Sequence, residues 1–408
     1  MKKITTLLTA IIGMALMNQV SATHVTVEVP TAGQLSSLVQ DVNCDSITIS
    51  GNLDGNDFWF IREQMPNLFY LNTSKVTVPG NRLPESGLYS KKTLQKIILP
   101  DNLETIGSNA FAYCSNLKDI TFPKTLATIE YHTFYQCGLS EVTLPDKLKD
   151  IGDAAFYECY NLKKVNFPEK LVSIGNSAFR QCNLSEVAFP DSLKTIGSNA
   201  FRYCQQLQKV TFPEKLETIG THAFNDCFRL HTATLKGKTA PVISDNTFNY
   251  TKVFYVPEGA AQTYKEATNW SNLVIIDGNT PKKITVTLTT AGTLGEEILK
   301  QVDYVKQVNE LVINGPLNSD DFYQIQQQAT NLISIDLTKA TIESLPENFF
   351  YERAALLDIK LPATLKSIGR YAFYRCHGLT QITIPEGVTI VGDYAFNECI
   401  SLKEIELP

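Results

Sequence analysis

Residues 94–114 read LQKIILPDNLETIGSNAFAYC, and residues 184–204 read LSEVAFPDSLKTIGSNAFRYC. The recurrence is part of a longer series. Units of this kind start at Leu94, Leu117, Leu139, Leu162, Leu184, Leu207 and Leu230, at steps of 23, 22, 23, 22, 23 and 23 residues. A second series starts at Leu356, Leu379 and Leu402, again at steps of 23. A fixed period of this length is the mark of a solenoid, in which one unit cannot bury its apolar face without the next.

Each unit can be read physically. Leu94, Ile97 and Leu99 have the spacing of a short strand with its apolar side chains turned inward, leaving Lys96 and Ile98 outward. Pro100 ends the strand, having no N–H to give a neighbouring rung. Leu103, Ile106, Ala110 and Phe111 fall at three- and four-residue spacing and predict a helical turn or an irregular arc that closes the coil. Gly107 marks a bend. Gly152, Gly175, Gly197, Gly220, Gly369 and Gly392 share its place, and the expectation there is either positive φ or close backbone approach. Glu130 occupies that place in one unit, so the conformation is open to other residues.

Cys114, Cys137, Cys159, Cys182, Cys204, Cys227, Cys376 and Cys399 each stand three residues after the unit's Phe, and Cys44 stands apart. In a solenoid these side chains run parallel at about 4.8 Å, the strand spacing. Disulfides need Cβ atoms facing each other about 3.8 Å apart, and zinc needs ligands converging from several directions. Buried, reduced, structural thiols are therefore expected.

The arrangement L-x-x-I-x-L/F-P-x-x-L-x-x-I-G-x-x-A-F-x-x-C resembles the BspA-like leucine-rich repeats of bacterial surface proteins. The resemblance implies an α/β-type leucine-rich repeat solenoid with a parallel strand face. It also implies a secreted or cell-surface protein used for adhesion to host or bacterial partners.

Outside the repeats, VTVEVPTAGQLSSLV from Val25 pairs with ITVTLTTAGTLGEEIL from Ile284, and ITISGNLDGNDF from Ile47 with LVINGPLNSDDF from Leu311. The chain thus reads as two copies of one plan. We expect a cap segment over 23–93, a repeat block over 94–236, a closing unit and linker over 237–278, a second cap segment over 279–355 and a second block over 356–408. Residues 1–22 have the form of a secretory signal: Lys2 and Lys3, an apolar run from Ile4 to Met17, and small residues ending at Ala22, the expected cleavage point. Leu402, Ile405, Leu407 and Pro408 read as a strand with no closing unit after it. This predicts a native chain that continues, or an edge covered by a partner copy.

For a chain of 408 residues the composition is that of an ordinary globular protein, with 43% hydrophobic and 19% charged residues. The net charge of −6 argues against a nucleic-acid partner, which needs a concentrated basic face. No hydrolase elbow, phosphate loop, dinucleotide fingerprint or paired-histidine zinc motif occurs, and no cofactor is implied. His132 and His222 share a column but lie four coils apart, too far for one metal.

Two surfaces remain as binding faces. The outward strand column carries Asp119, Thr121, Glu141, Thr143, Lys164, Asn166, Glu186, Lys209 and Thr211, which is polar and mixed in charge and suits a broad contact with an extracellular or host protein. As the second candidate, a column just after each Phe carries Tyr135, Tyr157, Arg180, Arg202 and, in the second block, Tyr374, residue types enriched at interfaces. A non-catalytic adhesion protein is the reading that results. The alternative is a carbohydrate-binding module, which an aromatic platform would favour.

Overall fold

In the computed structural model, which describes residues 23–278, 280–403 and 405–406, the sequence period becomes a stack of parallel coils. The expected signal segment over 1–22, and Leu407 and Pro408 of the final strand, lie outside the described residues. In the first unit Leu94, Ile97 and Leu99 are buried while Lys96 is exposed. The strand Lys96–Ile98 pairs in parallel with Asp119–Thr121, with Lys96 beside Asp119 and Ile98 beside Thr121. The pairing is interrupted between Asp119–Thr121 and Glu141–Thr143 and between Lys164–Asn166 and Glu186–Ala188, and it resumes in the same register, with Glu141 beside Lys164 and Glu186 beside Lys209.

A second parallel sheet, absent from the sequence reading, runs along another side. Its rungs are two-residue strands, Arg82–Leu83, Thr105–Ile106, Thr128–Ile129, Asp150–Ile151, Ser173–Ile174, Thr195–Ile196 and Thr218–Ile219. The inward residue of each pair is buried, and the outward one is short and polar in all rungs but the first. Two residues are too few to show a period of two, which is why the pattern alone suggested a helical turn.

The arc is a chain of turns, not a helix. Two left-handed corners recur in each coil at residues that are not glycine, as at Asn109 (φ 56°) and Tyr113 (φ 64°), then Asn199 (φ 57°) and Tyr203 (φ 61°). Between these corners alternate N–H groups donate to the next coil: Asn109 to the Tyr131 carbonyl at 3.0 Å, Phe111 to Thr133 at 2.9 Å, Tyr113 to Tyr135 at 2.7 Å. This satisfies the backbone of an otherwise irregular segment. The repeat glycines serve close approach and not positive φ. A Cβ on Gly197 would sit 2.6 Å from the Asn176 nitrogen one coil back. Glu130, in the exceptional unit, points its carboxylate at the preceding coil and accepts from Arg82 and from the Ser108 N–H and Oγ–H.

Inside the coils the phenylalanines form one stack, Phe111, Phe134, Phe156, Phe179, Phe201, Phe224 and Phe248, with successive ring centres 5.0 to 5.5 Å apart. All the cysteines are buried and free. Each repeat thiol donates to a main-chain carbonyl of the previous coil, such as Cys159 to Phe134 at 3.0 Å and Cys182 to Phe156 at 3.1 Å. The cysteine therefore fills apolar space and completes a coil-to-coil hydrogen bond.

The two segments that precede the repeat series share one construction. Strands His24–Val29, Ser46–Asn52 and Tyr70–Thr77 pair in parallel, and Lys283–Thr287, Glu310–Pro316 and Ser334–Thr341 repeat the arrangement. Buried Asp57 accepts from the Gly33 and Leu35 N–H groups, and buried Asp321 from Gly292 and Leu294. Gly51 (φ 93°) and Gly315 (φ 98°) take conformations that a side chain would strain.

One apolar core runs from Val27 to Ile275 and another from Ile284 to Cys399. A small cluster joins them. Val253, Val274 and Ile276, on the outward face of the closing strands, pack against Ile333, with Tyr255, Ala355 and Leu357 at the margin. Beside it the Tyr250 and His377 rings meet at 5.2 Å, and the Ser401 hydroxyl donates to the Phe228 carbonyl at 3.3 Å.

Candidate functional site

The outward strand column forms as the alternation predicts. Asp119, Thr121, Glu141, Thr143, Lys164, Asn166, Glu186 and Lys209 are exposed, and Thr211 is half-buried. Parallel register sets unlike charges on neighbouring rungs. Lys96 and Asp119 are paired at 2.6 Å, and Asn166 donates to the Thr143 hydroxyl at 3.0 Å. The face is flat and polar, and part of its charge is met within itself. Surface pairs of this kind contribute little energy.

The second column is built differently. Tyr135 and Tyr157 stack with ring centres 5.2 Å apart, and Tyr113 meets Tyr135 edge-on at 4.9 Å. The Arg180 guanidinium lies 5.2 Å from the Tyr157 ring and 5.5 Å from that of Tyr203, and the Arg202 guanidinium lies 4.7 Å from the same Tyr203 ring. Tyr135, Tyr157, Arg180 and Arg202 are thus brought into one continuous stack. Tyr374 is not part of it. It belongs to a separate stack in the second block, 5.0 Å from Tyr351.

The left-handed corner before each cysteine supplies the residues that the sequence reading left out. Glu158, Tyr203, Asp226 and Glu398 stand there. The Tyr135 hydroxyl donates to Glu158 at 3.3 Å, Arg202 Nε to Asp226 at 3.3 Å, and the Tyr374 hydroxyl to Glu398 at 3.1 Å. A residue after one coil's Phe therefore reaches the residue before the next coil's Cys. The signal for this was present as a second recurring column one place ahead of each cysteine. Burial works to raise the Glu158 carboxyl, but hydrogen bonds from Gln136, Tyr160, Tyr157 and Tyr135 outweigh it and hold the group below its ordinary value. Ring faces in this column are largely turned toward the neighbouring coil. The surface it offers is one of hydroxyls, amides and guanidinium groups held in place by stacking.

Among the described residues no group of three or more His, Cys, Asp or Glu could hold a metal ion, and no helix is long and apolar enough to cross a membrane.

A family model described as BspA-type leucine-rich repeat region matches residues 82–204, 129–254, 172–285 and 322–408. Among solved structures the chain is similar to a leucine-rich cell surface protein from Faecalibacterium prausnitzii, at 21% identity over 88% of this chain and 77% of that one, with a TM-score of 0.37. It is also similar to a leucine-rich repeat protein from Bacteroides ovatus, at 20% identity over 79% and 81% of the two chains, TM-score 0.31. A leucine-rich repeat protein of T. pallidum shares 26% identity over 47% and 72%, TM-score 0.28. No curated protein sequence matches the chain.

Proposed function

The chain belongs to the BspA-type leucine-rich repeat family, and on that premise we propose that it is an exported, non-catalytic adhesion protein that binds an extracellular protein through the tyrosine and arginine column of its first block. The observation that carries this reading is the continuous stack from Tyr113 to Arg202. Interfaces draw most of their energy from Tyr, Trp and Arg anchors whose conformations are set before binding. The strand face is the second choice, because its short side chains and paired charges leave few such anchors. Export rests on the form of residues 1–22, and the family's surface proteins support it.

The test is an array of extracellular-matrix proteins and glycans probed with the mature chain. Tyr135→Ala with Tyr157→Ala should weaken the strongest protein signal about tenfold or more, with the thermal transition retained as a check of folding. Charge reversal of Glu141, Lys164 and Glu186 together should leave it within about twofold. The opposite result would move the site to the strand face. A signal confined to glycans would replace the protein partner with a carbohydrate.

A further inference from the structure

We propose that Arg180 is the anchor for a carboxylate supplied by the partner, the side chain of an aspartate or glutamate in a protein segment; this rests on the column reading above. The column follows a pairing rule. Tyr135 reaches Glu158, Arg202 reaches Asp226 and Tyr374 reaches Glu398, each one coil on. By the same rule Arg180 faces Tyr203. That residue has no carboxylate, and its ring takes the guanidinium against its face at 5.5 Å, opposite Tyr157 at 5.2 Å.

Arg180 is consequently left without an acceptor. Every other arginine in the chain donates to one: Arg62 to the Ser86 carbonyl, Arg82 to Glu130, Arg202 to Asp226, Arg229 to Gln206, Arg353 to the Ile325 carbonyl, Arg370 to the Tyr371 hydroxyl and Arg375 to Glu398. The Arg180 Nε is buried with no hydrogen-bond partner. The residue as a whole is half-buried. A guanidinium fixed between two rings, partly stripped of water and lacking an anion, is pre-organised for a planar, two-oxygen acceptor. Arg202, which holds the same place one coil on, is paired with Asp226 at 3.3 Å while stacked on the Tyr203 ring, so a carboxylate fits this kind of site.

A hollow of about 390 Å³ beside Tyr203, lined by Tyr160, Gln181, Asn183, Gln205 and Gln206, offers amide groups to the main chain of a segment entering there. The whole chain carries a net charge of −6. Capture of an acidic segment must therefore be local, against the mean field of the molecule.

The experiment titrates the full chain with three probes: a blocked octapeptide alternating serine and glutamate, its serine–glutamine counterpart, and a sulfated disaccharide. The glutamate peptide should bind and its counterpart should not. Arg180→Gln should weaken binding about tenfold or more, the loss expected of a charge-assisted hydrogen-bonded pair. Arg180→Lys should recover only part of it, since the fork is gone. Tyr203→Glu restores the internal carboxylate at a corner where Glu158 and Glu398 already adopt φ 58°. It should abolish peptide binding while raising the thermal transition, so a folded variant tests the idea even if Arg180→Gln is unstable. Equal binding of the two peptides, or unchanged binding by Arg180→Gln or Tyr203→Glu, would overturn the assignment. Saturation by the disaccharide without the glutamate peptide would also overturn it, in favour of a sulfated glycan. Because the array reads Tyr135 and Tyr157 with whole proteins, either result can fail without the other.

Discussion

The Cys159 thiol donates to the Phe134 carbonyl one coil back, across 3.0 Å. Burial pushes this thiol up to about 12, and the same geometry recurs at each repeat cysteine. The thiols should be inert to an aromatic disulfide reagent at pH 8 while the protein is folded, because the thiolate is the reacting form. After denaturation without reductant, thiol counting should recover most of the chain's 9 cysteines. Fewer than half would mean that disulfides form. Cys159→Ala should cost about 1 kcal/mol by removing one of the two hydrogen bonds to the Phe134 carbonyl, which keeps the Cys137 N–H.

Phe156 sits in the stack with ring centres 5.0 Å from Phe134 and 5.1 Å from Phe179. Phe156→Ala should cost about 3–5 kcal/mol in denaturant unfolding, and Phe201→Ala should cost the same. Hydrogen exchange should show the loss spreading to the coils on both sides, since each completes the other's core. A change below about 1 kcal/mol would place these rings in solvent.

Gly197→Ala puts a methyl group 2.6 Å from the Asn176 nitrogen, against backbone that cannot yield cheaply. A loss of about 1–3 kcal/mol is expected. Gly55→Ala is the control, because a Cβ there meets nothing within 4 Å in the first turn of the helix Gly55–Gln64. That variant should be neutral or stabilising by up to about 1 kcal/mol. Equal effects of the two would show that contact distance is not what selects glycine in the repeat.

These residues also mark what was legible beforehand. Ile97 and Leu99 disclosed the strand because their alternation with Lys96 and Ile98 is enough to set its inward side. The cysteine ladder followed from period alone. The Thr105–Ile106 rung did not, being too short to alternate. The left-handed corners at Asn109 and Tyr113 were hidden because conformational freedom was sought in glycine. The docking of the two blocks was visible but unread: outward strand positions that are polar through Thr232 and Thr234 turn to Val253, Val274 and Ile276. Arg180 was singled out by type, yet its want of an acceptor depends on which residue stands one coil away.

Burial holds the His231 imidazole near 4, with nearby His377 adding to the effect. His377 is itself lowered, first by burial, while Glu398 and Glu352 oppose this and Arg375 and Lys252 assist it. Lys252 is lowered by burial, and Arg229 and Lys403 line the same junction. The ordinary histidine value is about 6.5, so above that pH both states are neutral and docking is at full strength. Between about pH 6.5 and 4 the separated blocks take up protons that the docked form refuses, so stability falls as the pH falls. Small-angle scattering should show the radius of gyration rising across that window, for a loss of about 1–3 kcal/mol. His231→Asn should flatten the response. A wild-type radius constant from pH 7.5 to 4.5 would show that the junction does not titrate.

The cluster of Val253, Val274, Ile276 and Ile333 is far smaller than the two cores it joins. Under tension, as the proposed adhesion would impose, it is loaded in series with them, and the weakest link in series yields first. Parting the blocks would let out slack while every coil, and any ligand held by the first block, stays intact. The joint would then act as a shock absorber, dissipating a tug before it reaches the bond to the partner.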